Sequence, residues 1–565
     1  MLRHRCCLLK YRTPHSCGAK GVAEIMRRFL KLRILLSIVL LLGVTAAIVV
    51  YASPYAPVVE PVIGIEEIWA IEDARSESEM PLVTALENHG QALGYDAASN
   101  TFYCTLGMET GDEWPDIRLT APDAKDVRLV FADDYSYDWC ADAIRDGYEY
   151  QIMAYTDTEF SYAYIVFTGL PIVVLEGDEA LRPHEDVPVQ VSISAAGEKP
   201  LSTYARAHER GDTSLRMRPK HGIKVEFTRR ADGTRKTEQE MPFIGRTDEF
   251  ILLACSMDQL LIRDKLSWAM WNAISTENEP FGPRETAYCE VFAGGEYLGI
   301  YVIMRPYDYE TELGKLGADA ASADALYRLA GRTVSEYDKP LIQDHRNIYY
   351  EQHYSPAGSE GHRAIMPYLD LFALEDDALF GEQAEMMLDI DSVIRYGLFV
   401  QACGMTDNEM NNLYIIAHRV QDGYRYLFAP WDLDCSWGKD DDENAEVWYA
   451  FPIFDRLLEE DCGGVARDRL AAIWRQMRES AFNPENIERL LEDFNTQMND
   501  SGAFYRDAVK WNRPNSYSEN YNIYSYACAR IEMMDRRIEE IISEALRGHR
   551  LNIQGYTTFD EGPLE

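Results

Sequence analysis

The chain has 565 residues, 47% of them hydrophobic, which is too long for one hydrophobic core and apolar enough to fill two or more. Its formal net charge is −39 and its pI about 4.7. Such a polyanion repels nucleic acid, whose binding needs clustered Lys and Arg; basic polypeptides are the more natural macromolecular partners, although solubility alone accounts for most of the charge.

Residues 1–33 form a basic stretch in which Arg27, Arg28, Lys31 and Arg33 precede the apolar run 34–52, ILLSIVLLLGVTAAIVVYA. That run is uncharged and long enough to span a bilayer. The basic flank stays on the cytoplasmic side, so the reading is a single-pass signal-anchor with the large remainder extracytoplasmic. The small residues of VYASPYA offer the alternative of a cleaved, secreted chain. Met26 opens a compact basic-plus-apolar segment and is a second candidate start, so Cys6, Cys7 and Cys17 carry little weight.

Residues 57–169 read as a separate β-rich unit. Alternation in TFYCTLGM, DIRLTAP, VRLVFADD, EYQIMAYT and SYAYIVFTG, broken by Gly, Pro and Asp, predicts a small sandwich whose alternate Tyr and Phe fill its core. The cysteines beyond the membrane run form no Cys-x-x-Cys pair, which argues against zinc. Cys104 and Cys140 share this unit and are the pair to test for a disulfide.

Residues 170–550 hold the candidate chemistry, with 551–565 as a C-terminal tail. LPIVVLEG and VPVQVSISA are strand-like runs. In RMRPKHGIKVEF, Arg216, Arg218, Lys220 and Lys224 recur at even spacing and predict one cationic face of a strand, which a buried strand tolerates only opposite an anion. LLIRDKLSWAMWNAI predicts a helix packed on this sheet. Within it Arg263 is read either as half of a helix-surface ion pair with Asp264 or as a phosphate ligand. CEVFAGGEYLGIYVIM predicts a hairpin turned at Gly294-Gly295.

The remainder is helix-rich apart from the strands LYIIAH and YRYLFAPW. Just before the first, Asp407 precedes Asn412 in the spacing Asp-x-x-x-x-Asn, the order of a carboxylate that orients a hydroxyl and an amide oxygen that shares a metal. The second runs into Asp432 and Asp434, which a strand places on one side, where hard carboxylate oxygens hold Mg²⁺. The plain alternative is an acidic turn continuing to Asp440, Asp441 and Asp442. A calcium loop fits poorly, because Trp437 stands where an EF-hand needs glycine. Further on, Asn483 and Pro484 open a helix with Ile487, Leu490, Leu491 and Phe494 on its core stripe, and Ile531, Met534, Ile538 and Ile542 mark a last one. No His-Glu-x-x-His, Gly-x-Ser-x-Gly or Walker A pattern occurs, so zinc-protease, α/β-hydrolase and P-loop readings have no support.

The order of these segments, from RGDTSLRMRPKHGIKVEF through DEFILLACSMDQLLIRDKLSWAMW to Asp407, Asn412 and the Pro-Trp-Asp-Leu-Asp of 430–434, resembles the spore-coat CotH kinase family of atypical protein kinases. The resemblance implies an α+β, two-lobed kinase-like domain with a β-rich N-lobe and a helical C-lobe. It implies ATP and Mg²⁺ or Mn²⁺ as cofactors, and Ser or Thr of a surface or spore-coat protein as acceptor. It places Lys220, helped by Arg216, Arg218 and Arg263, on the nucleotide phosphates, Asp432, Asn412 and Asp434 on the metal, and Asp407 on the acceptor hydroxyl. Where the family carries a glutamate after its second hairpin strand, GIYVIMRPYDYE has Arg305; a lysine partner would then have to come from Asp308 or Glu310. The rival implication is a catalytically inactive surface scaffold that keeps the fold.

Overall fold

The computed structural model describes residues 59–60, 64–107, 117–122, 124, 126–132, 140–211, 213–317, 324–331, 341–344, 348–355, 362–408, 411–439, 444–513, 518–546, 551 and 553. The expected membrane crossing at 34–52 and its basic flank lie outside them, as does nearly all of the tail. Among the described residues no helix is long and apolar enough to cross a membrane.

The first unit is built on a seven-stranded mixed sheet. Strand Glu159–Thr168 pairs antiparallel with Glu149–Tyr155 and parallel with Thr101–Thr105. The unit departs from a simple sandwich of hairpins: a parallel pair needs a crossover rather than a hairpin, and helices join a small three-stranded sheet in covering the main one. Strand alternation decides which side meets which cover. Leu129, Phe131, Ile152 and Ala154 face the helix Cys140–Asp146 and a small three-stranded sheet, while Val130, Met153 and Tyr155 face Ile68 of the helix Ile65–Asp73. Cys104 and Cys140 are both buried in this core, and Cys104 is a free thiol.

Next comes a closed seven-stranded barrel, in the order Ile172–Glu176, Val187–Ser194, Leu201–Arg210, Gly222–Thr228, Glu249–Leu253, Glu296–Met304, Thr286–Ala293, closed by parallel pairing of the last with the first. Alternate residues fill its interior, among them Val173, Val191, Ala205, Val225, Phe250, Val291 and Ile303. Closure removes the open edges at which sheets aggregate. The predicted hairpin at Gly294-Gly295 forms two of these strands, and both glycines take the positive φ of the turn.

The cationic strand is not found. Residues 213–217 form a short helix and the strand begins only at Gly222, after Pro219 and a turn. Pro219 has no N–H for a ladder, so the even spacing of its neighbours does not become a shared face. Arg216 and Arg218 are exposed, Lys220 is buried, and Lys224 pairs with Glu249 at 3.1 Å.

Between barrel and C-terminal layer runs the helix Arg263–Ile274, buried from Arg263 to Trp268 and again at Met270 and Trp271. Beyond it lies a five-stranded sheet ordered Leu341–Gln343, Tyr349–Tyr354, Ala325–Gly331, Asn411–Val420, Gly423–Pro430, with helices packed around it. Asn483 caps the helix Pro484–Asp500 by accepting from the Asn486 N–H at 2.8 Å, as its sequence predicts. Segment 449–458 packs as core: Ile453, Phe454, Leu457 and Leu458 of the helix Pro452–Glu459 are buried.

Candidate active site

The strand Gly423–Pro430 stops at Pro430, so Asp432 and Asp434 sit in the loop after it, not on one strand face. Asp432 takes a left-handed φ of 52°, a conformation Asp adopts more readily than most residues. The loop is pinned from behind. Leu433, Ser436 and Trp437 are fully buried, and the Trp437 backbone N–H donates to the Cys403 carbonyl at 2.8 Å. Its indole N–H donates to Ser267 Oγ at 2.9 Å, and Ser267 Oγ also lies 3.0 Å from Ser436 Oγ. The helix Arg263–Ile274 thus holds the loop in place.

Beside it, Gly404 ends the helix Ile390–Cys403 in the left-handed region and the chain turns through Asp407 into the strand Asn411–Val420. Asp407 is gripped by two amides: Asn411 Nδ2 donates to Oδ1 at 2.9 Å and Asn412 Nδ2 to Oδ2 at 2.7 Å. With its nitrogen so used, Asn412 keeps its amide oxygen for a ligand. The Trp431 N–H donates to the Asn412 carbonyl at 3.0 Å, and Asn408 Nδ2 donates to the Trp431 carbonyl at 2.8 Å, tying the two motifs together.

These acids feel one another. Burial pushes the Asp407 carboxyl up and Asp432 adds to it. Burial and Asp432 push Asp434 up to about 6 against Lys439, whose Nζ is 3.8 Å from Asp434 Oδ2. A fourth carboxylate joins them from the first turn of the helix Arg263–Ile274: Asp264, 5% exposed, is pushed well above the usual range by burial, Asp432 and Asp434, with Arg210 opposing. Its Oδ1 is buried without a hydrogen-bond partner, a costly state for a carboxylate oxygen. Arg210 lies over the Trp431 ring at 5.7 Å and so reaches the cluster from the barrel. Among the described residues no three His, Cys, Asp or Glu stand ready-gathered around a metal. The orphaned oxygen and the all-oxygen donor set nonetheless fit a hard divalent cation.

Lys220 lies on the barrel side of the site. It precedes its strand rather than sharing a cationic strand face: it is 4% exposed, and its Nζ donates to the Ile300 carbonyl at 2.5 Å and to Asp507 Oδ1 at 2.7 Å. Burial pushes its ammonium down and Asp507 holds it up. The same Asp507 oxygen accepts the Ile300 N–H at 2.7 Å, and Oδ2 takes the Arg513 guanidinium. Cys255 lies between the halves: burial and the charges of Asp264, Asp258 and Asp434 raise its thiol, and Lys220 opposes them.

Arg263 also differs from both of its readings. Its guanidinium is buried on Asp258 at 2.6 Å and reaches the Gly438 carbonyl at 3.4 Å, so it clamps the turn before the helix to the end of the acidic loop. Arg216 lies exposed in the short helix Thr213–Met217 and Arg218 exposed just after it, with its Nε 3.0 Å from Met257 Sδ.

The family model for the CotH kinase protein matches residues 207–534. The chain belongs to the CotH kinase family. No curated protein matches it. The matched span takes in every residue of the site described above and leaves out the N-terminal unit. Family membership carries kinase chemistry, with ATP and a divalent metal, in general terms. At the position where CotH kinases were expected to hold a glutamate, Arg305 lies on the surface with Nη1 3.4 Å from the Arg246 carbonyl. Asp308 is spent capping the helix Tyr309–Gly314, and Glu310 lies 3.5 Å from the Tyr354 hydroxyl. The carboxylate actually on Lys220 comes from Asp507. Sequence reasoning missed Asp507 and Arg210 and passed over Asp264 as an ion-pair partner; the adjacency of Asp264 to Arg263 was the one local signal available.

Proposed function

We propose that this CotH kinase family member is an active, two-lobed protein kinase transferring the γ-phosphoryl group of ATP to Ser or Thr of a basic polypeptide. The observation that carries the reading is the Asp407–Asn412 pair, joined by a hydrogen bond at 2.7 Å with Asn411 holding the other Asp407 oxygen at 2.9 Å, and set beside the Asp432 loop. The barrel takes the part of the N-lobe, and the five-stranded sheet with its helices that of the C-lobe.

Each oxygen of Asp407 accepts one amide and keeps a lone pair with which to orient the acceptor hydroxyl and take its proton. Asp432, Asp434, Asp264 and the Asn412 amide oxygen would hold the cation. Mg²⁺ or Mn²⁺, when bound, supplies charge neutralisation at the phosphate oxygens. Lys220 has a third N–H beyond the two it spends on Ile300 and Asp507, and Arg216 and Arg218 add positive charge at the mouth. The net charge of −39 supports a basic acceptor, and the apolar run 34–52 supports placing the domain outside a membrane. A non-catalytic scaffold is the second reading, and the burial of Lys220 at 4% exposure favours it.

The experiment is a labelled-ATP transfer assay on the purified ectodomain with Mg²⁺ or Mn²⁺ and a generic basic protein, alongside nucleotide titration. Asp407→Ala lowers kcat by about 10²- to 10⁴-fold and keeps nucleotide binding. Asp432→Ala also loses metal-dependent nucleotide binding. Retained activity and metal dependence in Asp432→Ala would remove the metal site. A parent that binds nucleotide but transfers no phosphate under either metal leaves the scaffold reading.

A further inference from the structure

The strand Glu296–Met304 pairs with Glu249–Leu253 only from Val302 to Met304, so among the described residues its edge from Leu298 to Ile300 has no strand on that side. Side chains of the C-terminal layer, together with Lys220, take up these backbone groups instead. The Trp511 indole N–H donates to the Leu298 carbonyl at 3.0 Å, Asp507 Oδ1 accepts the Ile300 N–H at 2.7 Å, and Lys220 donates to the Ile300 carbonyl. The helix Ala503–Lys510 is further fixed by Lys510 on Glu296 at 2.6 Å and Arg506 on Glu290 at 2.8 Å. Gly299 makes the approach feasible: with φ +92° it has no side chain, and a Cβ there would stand 2.1 Å from Asp507 Oδ1.

We propose that Asp507 is the positioning residue of the nucleotide lysine, standing in for the glutamate absent at Arg305, so that the C-terminal helix Ala503–Lys510 completes the phosphate site of the barrel. This rests on the reading of Lys220 as a nucleotide ligand. A lysine buried in an apolar barrel mouth keeps its proton only if a carboxylate compensates the lost hydration. The groups that face it are Asp507 and Arg513 from the C-terminal layer, Cys255 from the loop after Glu249–Leu253, and the Tyr301 ring, 4.8 Å away. Asp507 holds the charge on; Arg513, sharing the same carboxylate, works against it.

The test is ATP titration of the ectodomain, with Mg²⁺, between pH 7 and pH 10 for the parent, Asp507→Asn, Arg513→Met and Lys220→Met, with a thermal melt of each. Asp507→Asn is expected to raise the Kd for ATP by at least about tenfold and to bring the alkaline loss of binding to lower pH. Arg513→Met moves that loss to higher pH. A purely structural clamp would weaken the melt in both variants and move neither pH profile, and that result overturns the proposal even if the variants bind ATP poorly. Should Lys220→Met bind ATP as the parent does, the nucleotide role of Lys220 falls, and this proposal with it. A Lys220-dependent parent whose profile is unchanged by Asp507→Asn refutes the positioning role alone.

Discussion

Asp455 is a buried acid outside the site whose environment has a measurable consequence. It accepts the Trp448 indole N–H at 3.0 Å and the Phe451 N–H at 2.8 Å, yet burial pushes its carboxyl from 3.8 up to about 7. A folded-state value above the unfolded one means the native state holds the proton more tightly, so stability falls as pH rises from about 4 to about 7 and then levels. Urea unfolding of the parent and Asp455→Asn at pH 5 and pH 8 isolates this group from the rest of the acidic surface. The parent should lose on the order of 2–4 kcal/mol relative to the variant between the two pH values; an unchanged difference contradicts the assignment. At this same scale, Asp407, Asn412, Asp432 and Asp434 could be singled out as candidates because each motif is contiguous, its partners within a few positions. Lys220 was legible as a residue but not in its surroundings. Its carboxylate lies 287 positions away, and no local pattern encodes such a pairing.

Elements with a repeat and a cap could be read directly, as the helix after Asn483 and the hairpin at Gly294-Gly295 show. Arg216 to Lys224 misled because charge spacing was read without the proline that breaks the ladder, and the Asp432 loop because its left-handed turn has no repeat to announce it. That loop depends on one hydroxyl. Ser267→Ala leaves the buried Trp437 indole N–H without its acceptor and removes the link to Ser436, which costs about 1–3 kcal/mol. The expected result is a lower thermal midpoint together with a fall in kcat larger than any change in the KM for ATP, because the loop carries Asp432 and Asp434. A variant that loses stability while keeping the parent's kcat would show that the anchoring does not reach the chemistry.

At the scale of the molecule, the N-terminal unit is built into the rest. Tyr103 stacks on Tyr297 with ring centres 5.3 Å apart, and Ile172, Val174 and Phe292 close the same apolar contact. Thr168 Oγ1 accepts from Arg506, which also holds Glu290. A chain beginning at residue 170 would expose these barrel side chains, each worth about 1.5–3 kcal/mol when fully buried. It is expected to bind a hydrophobic dye and to melt below the parent that keeps the N-terminal unit, or to aggregate. A monomeric truncation with the parent's midpoint would show the two units to be independent. The sequence suggests a boundary near residue 170 but hides this contact, since alternation tells which strand residues are apolar and not whether a core or a neighbouring unit covers them.

The distance along the chain between Lys220 and Asp507 also sets an order of events during synthesis. The barrel strands emerge early, yet the open edge at Leu298–Ile300 and the buried ammonium beside it acquire their partner only when the helix Ala503–Lys510 has been made. Until then Lys220 must remain hydrated, and the mouth of the barrel stays loose. A ribosome-bound chain therefore holds an unfinished site, which is completed in one late step with the last helices.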